Sequence, residues 1–197
     1  MMKATTLYQP WAYAAVAGLK GNETRPRRTH IRGRVAIHAG KRDAWKNMIA
    51  PEDLAKIEAI LSESQGLPPE IPAKLDYGAV IGTVEIVDCK PVEEVLPTLT
   101  EQERLLGNYS PGRFVWVLKD PVMFEKPIPA KGKQGWWNWD NRTCGECEYA
   151  YLKGGNCEHP DGPETAITEQ EIACVLYEAA NSNEGSGTHG NAVDKSD

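Results

Sequence analysis

Residues 18–25 read GLKGNETR, and residues 32–42 read RGRVAIHAGKR. Gly18 and Gly21 are natural stop signals for the Ala-rich segment before them. Arg25 stands before Pro26, which pushes its backbone toward the extended region. On an extended segment Glu23 and Arg25 face one way and Thr24 the other. A turn followed by a strand therefore sets one carboxylate between two cations, Lys20 and Arg25. Such a carboxylate stays ionised and holds both partners in place. It can also accept hydrogen bonds from the amino edge of a cytosine or guanine. Lys20 and Arg25 can hold a phosphate or polarise a carbonyl. The plainer alternative is a buried ion network that only fixes a turn.

The cations around this stretch are too dense to be an ordinary solvated face. From Gly18 to Lys46 the chain carries nine Lys/Arg, Arg32 and Lys41 among them, against two acids, although the whole chain has a net charge of −6. From Asp140 onward the balance reverses, with three basic against twelve acidic residues. Like charges this close repel one another unless a polyanion or internal acids offset them. The basic segment therefore points to phosphate, as RNA or single-stranded nucleic acid. The acidic region offers a contact for a protein partner.

The remaining composition is that of a globular chain of 197 residues, 41% apolar and 25% charged. No run approaches the ~18 apolar residues of a membrane helix, so no membrane partner is expected. WAYAAVAGL, residues 11–19, imitates a signal-peptide core, but the TTLYQP before it has a single Lys further upstream. A cytoplasmic protein is the expectation.

Working outward, residues 3–9 suit an opening strand, and Pro10 opens a short helix packed through Trp11, Ala14, Ala15 and Val16. GRVAIHAGK alternates Val35 and Ile37 on one face with Ala36 and His38 on the other. His38 is then either a base beside the site or a satisfied core histidine. Residues 51–64 form the clearest helix, opened by Pro51 and striped by Leu54, Ile57, Ile60 and Leu61. In residues 79–89 a strand should carry Val80, Val84 and Ile86 on one face. Thr100 and Glu103 have the spacing of a capping box. RFVWVLKDPVMF should be a strand broken at Pro121.

Taken together, GLKGNETR (a G-x-K-x-x-E-x-R pattern), LYQPWA, GAVIGTVEIVDC, GRFVWVL and PIPAKGKQGWW resemble, in this order, the activating signal cointegrator homology (ASCH) domain. The likeness is to the single-domain members found in bacteria and phages, and it covers roughly residues 3–140. It implies an α+β class with a small PUA-like β-barrel and flanking helices. It also implies a cleft where Lys20, Glu23 and Arg25 meet, and an association with RNA or modified nucleobases. Arg32, His38, Lys41 and Trp137 are the further ligand-binding candidates. Some relatives are hydrolases or nucleases, which keeps a nucleoside amidohydrolase or ribonuclease-like activity as the alternative, with Lys20 and Glu23 as its catalytic residues. Acyl-removing hydrolases of this fold use a Lys, a Thr and a Glu. Lys20 matches the first, Glu23 occupies the position of the nucleophilic Thr, and Glu101 or Glu103 stands for the last. A carboxylate does not replace a hydroxyl nucleophile, so Glu23 would have to activate water.

Two clusters follow. Trp136 faces opposite to Trp137 and Trp139 on a strand, so one set is core and the other is free to stack on a base. Past Asn141 the chain turns Cys- and Gly-rich. Cys144, Cys147, Cys157 and His159 have the spacing of a structural zinc knuckle, with Cys174 the rival fourth ligand and iron–sulfur the rival group. The expected organisation is an ASCH domain over residues 1–140, a Cys-rich metal knuckle with a short helix over 141–180, and a disordered tail over 181–197.

Overall fold

The protein is described here by a computed structural model, which describes residues 1–43 and 45–140. The expected zinc knuckle, its ligands Cys144, Cys147, Cys157, His159 and Cys174, the acidic region and the tail lie outside the described residues.

The chain runs β1 (Met2–Leu7), α1 (Trp11–Val16), β2 (Asn22–Arg25), β3 (Gly33–Ala39), a 3-10 turn (Trp45–Met48) and α2 (Pro51–Ser64). It continues with β4 (Ala79–Pro91), α3 (Val92–Val95), a second 3-10 turn, α4 (Glu101–Leu105), β5 (Phe114–Pro129) and β6 (Trp136–Trp139). The six strands make one mixed sheet in the order β2-β5-β4-β3-β1-β6. Among the described residues only β1 and β3 pair in parallel, and α1 and β2 lie in the crossover between them, the longer connection that parallel pairing demands. This is an α+β arrangement. No helix among the described residues is long and apolar enough to cross a membrane.

The two ends of the sheet approach each other. Trp116 on β5 stacks on Trp136 on β6, with ring centroids 4.9 Å apart. Arg25 Nη2, on the terminal strand β2, donates to the Thr6 carbonyl on β1 at 3.3 Å. The sheet is thus curled almost into a barrel, and among the described residues no ladder joins β2 to β6. A seam remains along that gap.

Alternation along β3 divides the core. Val35 and Ile37 join α1, α2, Val84 and Ile86 in the larger cluster, whereas Ala36 packs with Ala4, Val80, Phe124, Trp137 and Trp139. Ile57 and Leu61 bury the inner stripe of α2. Val80 is therefore not on the face of Val84 and Ile86. The pairing slips at Ile81, where Ile37 faces Gly82 and His38 faces Val80. A bulge inserts one residue and reverses the alternation beyond it. The expected break at Pro121 is also absent, since β5 passes through it. Asp120 takes a φ of +44° and the β4–β5 register shifts beside it, so the missing proline N–H falls at an irregularity where the ladder tolerates it.

Candidate nucleic-acid interface

Lys20 reaches the interior because the chain folds back sharply after α1. The Leu19 and Lys20 amides both close on the Ala14 carbonyl, at 2.9 and 3.3 Å, and Gly18 takes a φ of +72°, a conformation that favours glycine. Helix α4 braces this turn. Thr100 caps the helix by accepting from the Glu103 amide at 3.1 Å. The Glu103 carboxylate then accepts from the Gly21 amide rather than turning back on its own helix. Tyr109 donates to the other Glu103 oxygen at 2.8 Å. Burial, with the negative charge of Glu103 beside it, keeps the Tyr109 hydroxyl protonated far above the ordinary tyrosine range.

At the centre stands Glu23. Its Oε2 accepts from Lys20 Nζ at 2.9 Å, and its Oε1 lies 2.9 Å from Arg25 Nε, an ion pair without hydrogen-bond geometry. Lys20 Nζ also donates to the Leu106 carbonyl at 3.0 Å. The Lys20 side chain is 1% exposed and that of Glu23 10%, so both charges have left water. Burial pushes the Glu23 carboxyl up. The charges of Lys20 and Arg25, the Lys20 hydrogen bond and the charge of Arg113 outweigh burial and hold it below the ordinary carboxylate range. The Arg25 guanidinium lies over the Trp116 ring, 5.4 Å from its centroid.

These residues open onto a cleft of about 1160 Å³ along the seam, walled by Thr6–Tyr8, the β2 strand, Met48–Ala50, the end of α4 and residues 132–135. Six basic and two acidic side chains line it. Arg27, Arg104 and Lys133 are exposed there. Arg113 is spanned between carbonyls, donating from Nη2 to Thr24 and from Nε to Asn108, both at 3.1 Å.

Lys20, Glu23 and Arg25 are thus brought together, and the other candidates are not beside them. Arg32 pairs with Asp88 at 3.4 Å. Lys41 packs its stem over Gly78. His38 is 2% exposed, and its Nε2 contacts the Ala130 carbonyl at 2.9 Å. Trp137 is buried in the smaller core cluster and meets the His38 ring edge-on. None of these four lines the cleft. Of the aromatic pair of alternatives, Trp137 and Trp139 are core, and Trp136 is the one turned to Trp116 at the seam. Trp116 and Arg113 escaped the sequence reading because the β2–β5 pairing, which sets Glu23 opposite Trp116, leaves no local signal. Tyr109 was missed because its role depends on Glu103 pointing inward.

A family model of the ASCH domain matches residues 6–128. The chain belongs to the ASCH domain family. Among its curated relatives, Activating signal cointegrator 1 of Mus musculus is 29% identical over 141 residues, covering 70% of this chain and 22% of the relative. The Homo sapiens protein of the same name is 27% identical over 140 residues, with the same shares. The chain therefore spans about a fifth of the length of these relatives. The crystal structure of ASCH from Zymomonas mobilis aligns with a TM-score of 0.37 at 17% identity, covering 64% of this chain and 72% of that one. A point variant of the same protein aligns at 0.36 and 17% identity, covering 64% and 74%.

Within this ASCH domain the carboxylate of the triad stays ionised. A general base works best with a pKa near the operating pH, and Glu23 is held low. Each carboxylate oxygen is paired once, and a carboxylate offers about four acceptor positions, so Glu23, which lines the cleft, retains acceptor capacity. Of the other acids considered, Glu103 is committed to Gly21 and Tyr109, and Glu101 is exposed.

Proposed function

We propose that this ASCH domain binds nucleic acid, as RNA or another single strand or as a modified nucleobase within one, in the cleft at the barrel seam. The observation that carries the reading is the charge of that cleft, six basic side chains against two acidic ones in a chain of net charge −6. Cations concentrated in a concave site of an otherwise acidic molecule focus a field on phosphate. Lys20 and Glu23, deeply buried, fix the shape of the site and orient Arg25. Arg27, Arg104 and Lys133, exposed at the rim, meet the backbone phosphates. Glu23 supplies the acceptor for a base amino group. The low Glu23 pKa weighs against the hydrolase alternative, in which this residue would have to activate water.

Titration of the full chain with a short single-stranded RNA at several salt concentrations tests the reading. Each phosphate contact on a single strand contributes about −0.7 to the slope of log affinity against log salt. Arg27→Ala is expected to weaken all sequences alike and to flatten the slope by roughly that amount. Binding that is independent of salt, or an Arg27→Ala variant with the wild-type slope, defeats the phosphate reading.

A further inference from the structure

The cleft has a second, apolar half. Tyr8 follows β1 and is 46% exposed, and Met48 ends the first 3-10 turn and is 57% exposed. Both line the cleft, together with the half-buried Trp11 and Ile49. Large apolar side chains left in water at one place mark a contact surface when they adjoin a polar site. Here the adjoining site is cationic. Arg25 ties the two halves together, since it pairs with Glu23 at one end and donates to the Thr6 carbonyl, two residues before Tyr8, at the other. The aromatic residues at the core of the molecule do not serve this purpose: Trp137 and Trp139 are buried, and Trp136 is stacked on Trp116.

We infer that the ledge formed by Tyr8, Trp11 and Met48 takes an unstacked nucleobase, so that the ligand is a single strand whose phosphates lie on the cationic half and whose base lies flat on the apolar half. The inference rests on the nucleic-acid reading above and specifies the ligand class of that site. An aromatic face beside cations is what a base joined to a phosphate requires: stacking for the π-surface and an opposite charge for the phosphate. Free phosphate would use only one half, and a duplex keeps its bases stacked inside and unavailable to the ledge. Because every base has a π-face, the ledge contributes affinity without choosing a sequence.

Three probes read the ledge apart from the charge: one single-stranded RNA, the same strand annealed to its complement, and an abasic strand of equal length. Wild-type full chain is expected to bind the base-bearing strand about tenfold more tightly than either of the others at equal salt. Tyr8→Ala is expected to remove most of that preference while the salt dependence of binding persists, and Tyr8→Phe is expected to keep it. Met48→Ala should lower it partially. Equal affinity of the wild type for the base-bearing and abasic strands, tighter binding of the duplex, or an unchanged preference in Tyr8→Ala overturns the ledge and leaves the phosphate reading standing. Absence of binding to all three probes at low salt overturns both.

Discussion

Two places in this molecule bury polar groups against tryptophan, and they resolve the burial in opposite ways. At the seam, Glu23 and Lys20 are charged, and each charged end has a partner. In the smaller core cluster, His38 meets the Ala130 carbonyl through Nε2, while its Nδ1 and the neighbouring Trp137 Nε1 have no hydrogen-bond partner among the described residues. Burial, together with the nearby Lys41 charge, outweighs the Ala130 hydrogen bond and lowers the His38 pKa. The imidazole is therefore neutral where the carboxylate is ionised. A charge survives burial only with partners, whereas an imidazole gives up its proton instead. An ionised buried network must be assembled from several elements, and that assembly is what gives the seam a fixed geometry. The neutral histidine asks little of its surroundings and behaves as core.

Removing one member of the charged set should have the largest effect. Lys20→Met leaves Glu23 buried with one partner fewer and the Leu106 carbonyl unpaired. Breaking a buried pair in this way costs about 3–5 kcal/mol, which urea denaturation would read. Arg32→Ala breaks an exposed pair with Asp88 and two hydrogen bonds to the Thr29 and Ile31 carbonyls and should shift the midpoint far less. Equal effects of the two variants would mean that the seam network is solvated after all.

The histidine region gives a smaller effect with its own pH signature. His38→Leu leaves the Ala130 carbonyl without its donor, a loss of about 1–3 kcal/mol near neutral pH. In the wild type the folded His38 pKa lies below the ordinary value of 6.5, so the unfolded chain takes the proton first. Stability that is fully present above about 6.5 is then lost as pH falls below it. The folded Glu23 pKa also lies below its ordinary value, 4.5, and its contribution is lost only on acidification below that. Thermal melts against pH should show two descents, the upper one missing from His38→Leu. A single descent below 4.5 in both proteins would break the contrast.

How much of this was legible follows the same physics. The helix from Pro51 to Ser64 and the Thr100 cap were readable because proline, helical period and capping hydroxyl act within a few residues. The meeting of Lys20, Glu23 and Arg25 was readable because a glycine-bounded turn and one short strand suffice to bring them together. The extent of the basic patch was not. Arg32 is balanced by Asp88 and Lys46 by Glu58, acids that are distant in sequence and reach these cations only through the fold. The bulge at Ile81 and the choice of Trp137 over Trp136 as core depend likewise on register between strands, which no local pattern encodes.

The smallest effect sharpens the comparison most. Glu103 belongs to neither region's centre, yet it holds the Gly21 amide and the Tyr109 hydroxyl with its two oxygens. Gly21 follows Lys20 directly, so Glu103 positions the turn from which the buried cation enters the seam. Glu103→Gln keeps the shape and one acceptor oxygen but turns the other into a donor. The Gly21 amide can keep the oxygen, but the Tyr109 hydroxyl must turn from donor to acceptor of the new amide N–H, so two bonds to a charged acceptor become neutral ones, a loss of about 0.5–1.5 kcal/mol. If the geometry of the seam matters to binding, this variant should weaken RNA affinity more than its modest destabilisation implies and leave the salt slope untouched, because no phosphate contact is lost. His38→Leu, which is at least as destabilising, should leave that affinity at the wild-type value. Should Glu103→Gln bind RNA as the wild type does, the turn is held firmly enough by the Ala14 carbonyl alone, and helix α4 is packing rather than part of the recognition frame.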